Sequence, residues 1–278
     1  MTIRLPSHGI ASGRPDRGLR DFLRISRRHV RLAMKRGFRP NPIFVLGTGR
    51  SGTHWVAWIL EPHSELETLI EKPPIFEWVT EMAIDPKAEE RLLPPLLKRY
   101  RLEAAGALPR RLLDKSHPNI WLAERLAEAF PEAQFIGVLR DVYGTVASSL
   151  RHKGVRYWAE HWEEYPVPNR FLGITRENRE AYAQMSLAGR CAVRWLAHLR
   201  RLDELEGVLG ERMIRLRYDD LQLRTAEELA RLQRFLRLQA PIPFPAIKKE
   251  SLERWKSELS PEQIAAIEEV VGDDAERS

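Results

Sequence analysis

Cysteine is all but missing from this chain: Cys191 is the single one among 278 residues, so no intramolecular disulfide can form. That is the usage of a reducing compartment. No run of 18 apolar residues is present to cross a bilayer. The apolar core of a secretory signal is missing too, and a cytoplasmic location is expected. The eight histidines lack the paired spacing of metal ligands, so no metal is expected. Ser51 has no Gly-x-Ser-x-Gly elbow around it, which removes a serine hydrolase. Internal repeats and long low-complexity tracts are also missing. Acidic residues are scarce only at one end. Residues 1–40 hold eleven Lys/Arg against two Asp, a net of +9, while the rest holds 34 basic against 37 acidic residues, a net of −3. The body therefore lacks the basic excess of a nucleic-acid binder, and no nucleic-acid partner is expected.

What is present divides into two units. Residues 1–40 form a basic arm, and residues 41–278 suffice for one large domain, with apolar residues at 43%. Residues 1–17, rich in Gly, Pro, Ser and Arg, are expected to be disordered. Residues 18–36 have helical periodicity, with Leu19, Phe22, Leu23, Val30, Ala33 and Met34 on one side. Such a helix either packs on the domain or offers a basic amphipathic face for peripheral contact with acidic lipid, a partner or an anionic substrate. Beyond the arm, short β-branched runs predict strands at 43–47, around 66–70, 111–114, 134–139 and 213–217. Helical periodicity predicts helices at 53–61, 75–100, 119–130, 143–152, 187–206 and 225–237. The alternation predicts an α/β fold: a three-layer sandwich with a central parallel sheet of about five strands. Functional groups then belong at the carboxyl ends of the strands. Cys191 precedes an apolar helical stretch and is expected in the core. Residues 154–175 read as an aromatic-rich loop without strict period, either an acceptor-pocket wall or a packed irregular segment.

Residues 42–55 carry the most information. An apolar burst, Ile43 to Leu46, leads into Gly47, Gly49 and Gly52, and then into apolar residues at helical spacing. Strand, glycine-rich turn and helix N-terminus together cradle an anion such as phosphate or sulfate. Gly47 and Gly52 have the spacing of a nucleotide-triphosphatase P-loop, but Thr53 and His54 stand where Lys and the magnesium-binding hydroxyl belong. The basic residue is Arg50, inside the loop. A fixed cation there suits an anionic leaving group handled without a metal.

At this point the chain resembles the sulfotransferases that use 3′-phosphoadenosine 5′-phosphosulfate (PAPS). Arg50-Ser51-Gly52-Thr53-His54-Trp55 is similar to their phosphosulfate loop. Residues 135–141, a strand ending in Arg140-Asp141, with Ser148 eight residues after the arginine, are similar to their second signature. Arg217-Tyr218-Asp219-Asp220-Leu221 is a weaker third match. The resemblance covers roughly residues 42 to 260.

That resemblance implies PAPS as sulfuryl donor, PAP as product, no metal requirement and a hydroxyl (or amine) acceptor. It implies that Gly49 to Thr53 and His54 surround the phosphosulfate, with Arg50 neutralising charge on the bridging oxygen. The backbone N–H groups of Ser51, Gly52 and Thr53 are expected to hold the 5′-phosphate. Arg140 and Ser148 are expected to bind the 3′-phosphate, with Ser149 the alternative if the register slips. Trp55 and Tyr218 are expected near the adenine, although aromatic rings at helical spacing suit a core equally. The general base has two candidates. Lys115-Ser116-His117-Pro118 is similar to the Lys-Thr-His of one branch, which makes His117 the base and Lys115 its helper. Glu71 stands where another branch places a catalytic glutamate. The expected activity is in-line sulfuryl transfer with a general base. A kinase-like P-loop enzyme using ATP or GTP, and a nucleotide-binding scaffold without activity, are the alternatives. Convergence of Glu71 and His117 on the loop distinguishes an enzyme from the scaffold.

Overall fold

The computed structural model describes residues 39–247 and 249–277. The expectations for the basic arm, a disordered 1–17 and a helix over 18–36, fall on residues outside those described, as does Lys248.

Five strands form one sheet in the order β2-β3-β1-β4-β5, all parallel. They are β1 (Ile43–Gly47), β2 (Leu66–Ile70), β3 (Arg111–Lys115), β4 (Gln134–Leu139) and β5 (Met213–Arg217). β1 is apolar at every position because both of its faces are covered, as a central parallel strand requires. Phe44 and Leu46 point into one core with Leu112 and Phe135. Ile43 and Val45 point into the other with Leu113, Ile136, Val138 and Leu216.

Helix α1 (Thr53–Leu60) covers the second face through Val56, Ala57 and Leu60. The first face is covered by α2 (Ile75–Ile84), α3 (Glu89–Ala107), α4 (Ala123–Ala129), α5 (Val142–Arg151), α6 (Lys153–Glu160) and the long α7 (Leu187–Leu209). After β5 come α8 (Tyr218–Leu223) and α9 (Thr225–Leu236), the latter on the second face through Leu229, Leu232 and Leu236. Cys191 lies in the first core. The three-layer α/β sandwich read from the alternation is therefore the observed fold.

Two local readings need correction. The single helix expected over 75–100 is two helices. Pro86 excludes the helical region for Asp85, which turns extended (φ −124°, ψ 100°), and the Asp85 carboxylate accepts from the Lys87 N–H to start a new turn. The loop expected over 154–175 begins as helix α6. His152 caps it by accepting from the Val155 N–H at 3.3 Å. Val155, Trp158 and Ala159 face inward, and Trp162, Tyr165 and Phe171 follow them into the core.

From β1 the chain crosses toward β2, and from β4 it crosses the other way toward β5. The order thus reverses between β1 and β4, where open α/β sheets place their ligand crevice.

Candidate active site

Each strand delivers a site residue at its carboxyl end: the β1 loop carries Gly49 to Thr53, Glu71 follows β2, Lys115 ends β3, Arg140 follows β4, and Tyr218 follows β5. The β1 loop is tied down by Ser51, whose hydroxyl donates to the Thr48 carbonyl at 2.7 Å and, alternatively, to the Val138 carbonyl at 3.0 Å. The Ser51 N–H also bonds the Thr48 carbonyl, at 3.0 Å. Ser51 thus closes the loop and is engaged before any ligand arrives. Gly52, at φ +95°, opens α1, and no side chain caps that helix. The amides of its first turn, Thr53, His54 and Trp55, therefore have no intrahelical acceptor.

Close approach explains two glycines. A Cβ on Gly52 would stand 2.4 Å from Cδ2 of Tyr218, and one on Gly49 would stand 2.9 Å from Nε2 of His117. Gly52→Ala combines that clash with a left-handed φ, and should cost about 1–3 kcal/mol. Gly207→Ala, in α7 with open space around it, should instead gain ~0.5–1 kcal/mol. Urea denaturation midpoints of the two variants check both signs.

Three non-glycine residues have left-handed φ, and two of them are Arg50 (+83°) and Glu71 (+47°). L-residues avoid this region, so the surrounding structure holds these two against local strain. Arg50 Nε donates to Ser148 Oγ at 3.1 Å, bridging the β1 loop and α5 across the crevice. Ser149 points elsewhere, to the Thr145 carbonyl at 2.7 Å, so Ser148 is the serine that meets the loop. Burial lowers the Arg50 pKa; Glu71 opposes that, and Arg140 and Arg151 reinforce it. Arg151 went unnoticed in the sequence, where it reads as the basic end of a helix.

Arg140 is held from three directions. Its guanidinium lies 4.7 Å over the Tyr218 ring, its Nη2 donates to the Ser251 carbonyl at 2.9 Å, and Asp141 Oδ2 sits 3.5 Å from Nε. The Tyr218 hydroxyl shares a hydrogen bond with Ser251 Oγ at 2.9 Å, and Trp55 meets the Tyr218 ring edge-on at 5.8 Å. Tyr218 is thus a packed wall of the loop with Arg140 on its ring. Ser251 has no sequence signal, because its contacts lie more than thirty residues away.

On the other flank Glu71, Lys115, His54 and His117 form one cluster. Lys115, 1% exposed, donates to Glu71 Oε1 and lies 2.7 Å from His54 Nδ1. His117 Nδ1 is 3.3 Å from the same Glu71 oxygen. A carboxylate only accepts, so this nitrogen carries the proton and Nε2 has the lone pair. That Nε2 is buried, makes no hydrogen bond and faces Gly49. Both base candidates therefore converge on the loop. Behind them Asp114 is fully buried. It accepts from Tyr100 at 3.0 Å, Asn119 at 2.9 Å and Ser116 at 3.2 Å, which fixes the end of β3.

Charge states follow from these contacts. Burial would raise the Glu71 carboxyl, but the His117 hydrogen bond and the Lys115 charge outweigh it, and the group stays ionised well below the usual range. Burial lowers Lys115 to about 8, with Glu71 pulling it back up. Burial, then Lys115, lowers His54 to about 4. Burial lowers His117 to about 3, against the pull of Glu71. An unfolded chain protonates each imidazole near pH 6.5, while the folded site keeps both neutral down to about 4 and 3. The unfolded state thus binds more protons across that window, and stability falls as pH drops from about 6.5. Glu71, depressed in the folded state, adds loss below about 4.5. Denaturation midpoints measured from pH 7 to 4 should fall less steeply for His117→Asn than for the parent. Equal slopes would remove His117 from the titrating set.

The comparisons agree with this geometry. A family model described as "Sulfotransferase family" matches residues 42–241. Among curated proteins none matches the chain. The sulfotransferase domain of the Synechococcus PCC 7002 olefin synthase has a similar structure, with a TM-score of 0.52 at 16% identity over 84% of this chain and 96% of that one. The sulfotransferase domain from the curacin biosynthetic pathway gives 0.49 at 19% identity over 83% and 96%. Mouse sulfotransferase SULT7A1 complexed with PAP gives 0.47 at 16% identity over 86% of each chain. At these identities the structural likeness speaks for the fold, and the match over residues 42–241 places the chain in the sulfotransferase family.

Proposed function

We propose that this chain transfers a sulfuryl group from PAPS to an acceptor hydroxyl, without a metal. The observation that carries the reading is the Arg50–Ser148 hydrogen bond across the crevice, with Glu71, Lys115 and His117 gathered on the other side of the same loop. The loop fits a phosphosulfate: glycines leave no Cβ in the cradle, and the first-turn amides of α1 have no capping side chain. PAPS supplies the sulfuryl group, and its leaving phosphate takes the electron pair of the bridging bond.

The residues divide the remaining work. Gly49, Gly52, Thr53 and His54 line the phosphosulfate cradle through their backbone. Arg50 offers a planar fork to the charge growing on the leaving phosphate. Arg140 and Ser148 take the 3′-phosphate, and Trp55 stands by the adenine with Tyr218 behind it. His117 Nε2 accepts the acceptor's proton, and Glu71 holds the other imidazole nitrogen and offsets the imidazolium charge. The anionic donor raises the basicity of that imidazole, because nearby negative charge favours its protonated form. Lys115, mostly charged at neutral pH, fixes Glu71 and faces the sulfuryl oxygens. The new bond joins acceptor oxygen to sulfur, the S–O bond to the nucleotide breaks, and PAP leaves.

Calorimetric titration with 3′,5′-adenosine bisphosphate in a chelator, beside magnesium-ATP, tests the reading. Micromolar or tighter binding of the bisphosphate alone is expected. Binding of magnesium-ATP alone would sink it and favour a kinase-like enzyme.

A further inference from the structure

A buried guanidinium without an anion or a full set of acceptors is costly by several kcal/mol. Arg194, midway along α7, is 2% exposed, and its Nε and Nη2 make no hydrogen bond. No carboxylate among the described residues pairs with it; the groups that bear on its charge are the Cys191 thiol and the Tyr182 phenol. Arg190, one turn earlier, shows the usual solution, donating to the carbonyls of Ala159, Tyr182 and Ala183.

The Arg194 guanidinium lies 4.8 Å over the Phe171 ring. The same ring neighbours His117 at 6.4 Å and His198 at 5.9 Å. His198 is fully buried, bonds the Arg194 carbonyl through Nδ1 at 2.7 Å, and leaves Nε2 without a partner. Three unpartnered polar ends thus surround one apolar side chain, and one of them is the proposed base. Arg50 and Arg140, the cations assigned to the donor, bond elsewhere, to Ser148 and Ser251. Nε and Nη2 share one edge of the guanidinium, the edge that grips a carboxylate with two parallel hydrogen bonds.

We propose that Arg194 receives a carboxylate carried by the acceptor, so that the acceptor is a hydroxy acid whose apolar spacer lies along Phe171 between Arg194 and His117. This deepens, and rests on, the sulfuryl-transfer reading.

The test uses the full chain, with and without 3′,5′-adenosine bisphosphate. Calorimetry compares para-hydroxybenzoate and para-hydroxyphenylpropionate with their methyl esters, on the parent and on Arg194→Met. At least one acid should bind about tenfold tighter than its ester, and the ratio should fall to about one in Arg194→Met. Arg194→Lys, which keeps the charge and loses the paired edge, should fall between them. Without ligand, Arg194→Met should melt at or above the parent temperature, since it removes an unpaired buried charge. Acids and esters binding alike, neither binding, the ratio surviving in Arg194→Met, or a clear drop in its melting temperature would each overturn the assignment. Failure of the bisphosphate to bind, with the acid preference intact on the nucleotide-free protein, would count against the transfer reading alone.

Discussion

Arg50→Gly should abolish sulfuryl transfer while leaving the protein at least as stable as the parent. The expected fall in kcat/KM is about 10³-fold, the scale for removing a cation that neutralises a transferring or leaving oxyanion. The stability argument is independent of that. Arg50 sits at φ +83°, where a side chain costs ~1–2 kcal/mol and glycine does not. Part of that gain is offset by the greater freedom of glycine in the unfolded chain. Arg50→Ala keeps the strain and loses the charge, so the glycine variant should be the more stable of the two by ~1 kcal/mol. Only the link to Ser148 is lost from the printed side-chain contacts of Arg50, and that serine stays half-exposed to water. Steady-state assays with labelled PAPS and urea denaturation measure the two effects separately. Transfer within tenfold of the parent in Arg50→Gly would remove Arg50 from the chemistry. A glycine variant less stable than the alanine one would mean that the loop gains nothing from relief of the strain.

Arg140→Ala should weaken 3′,5′-adenosine bisphosphate by about 10²-fold and leave adenosine 5′-phosphosulfate nearly unchanged. The two nucleotides differ by the 3′-phosphate, and a charge-assisted hydrogen bond to such a group contributes ~1.5–3 kcal/mol. Arg140 already stands oriented by Tyr218, Ser251 and Asp141, so little ordering remains to be done on binding. Calorimetry with both nucleotides reads the difference. Equal losses for the two would show that Arg140 acts on the shape of the whole pocket through Tyr218 and Ser251, and not on the 3′-phosphate.

Most of the sheet was legible because parallel strands buried on both faces leave an unmistakable trace. Residues 43–46 are apolar at every position, and β4 repeats the pattern. The phosphosulfate loop was legible because glycine at fixed spacing reports backbone geometry, which Gly52 against Tyr218 makes concrete. What the sequence hid were contacts between distant elements. The helix break at Asp85 was readable from Pro86, yet the continuous periodicity around it masked the stop. Helix α6 was hidden because its aromatic residues have two burial directions, toward Phe171 and toward Tyr182, and a single stripe does not form. In the site, Glu71 and His117 read as rivals. The structure makes them partners, with Lys115 and His54 joined to the same carboxylate. No spacing rule relates Ser251 to Tyr218 or Tyr100 to Asp114, since those pairs depend on where whole helices dock.

The distribution of the site over the sheet has a consequence for how the protein loses function. Glu71 follows β2 and Tyr218 follows β5, and these are the two edge strands. Edge strands have one hydrogen-bonded neighbour and open at lower free energy than central ones. Fraying of either edge on warming would withdraw Glu71 from Lys115 and His117, or Tyr218 from Gly52 and Arg140, while β3, β1 and β4 still hold the core. Inactivation would then run ahead of melting, and the working temperature range would be set by the rims of the sheet and not by its centre.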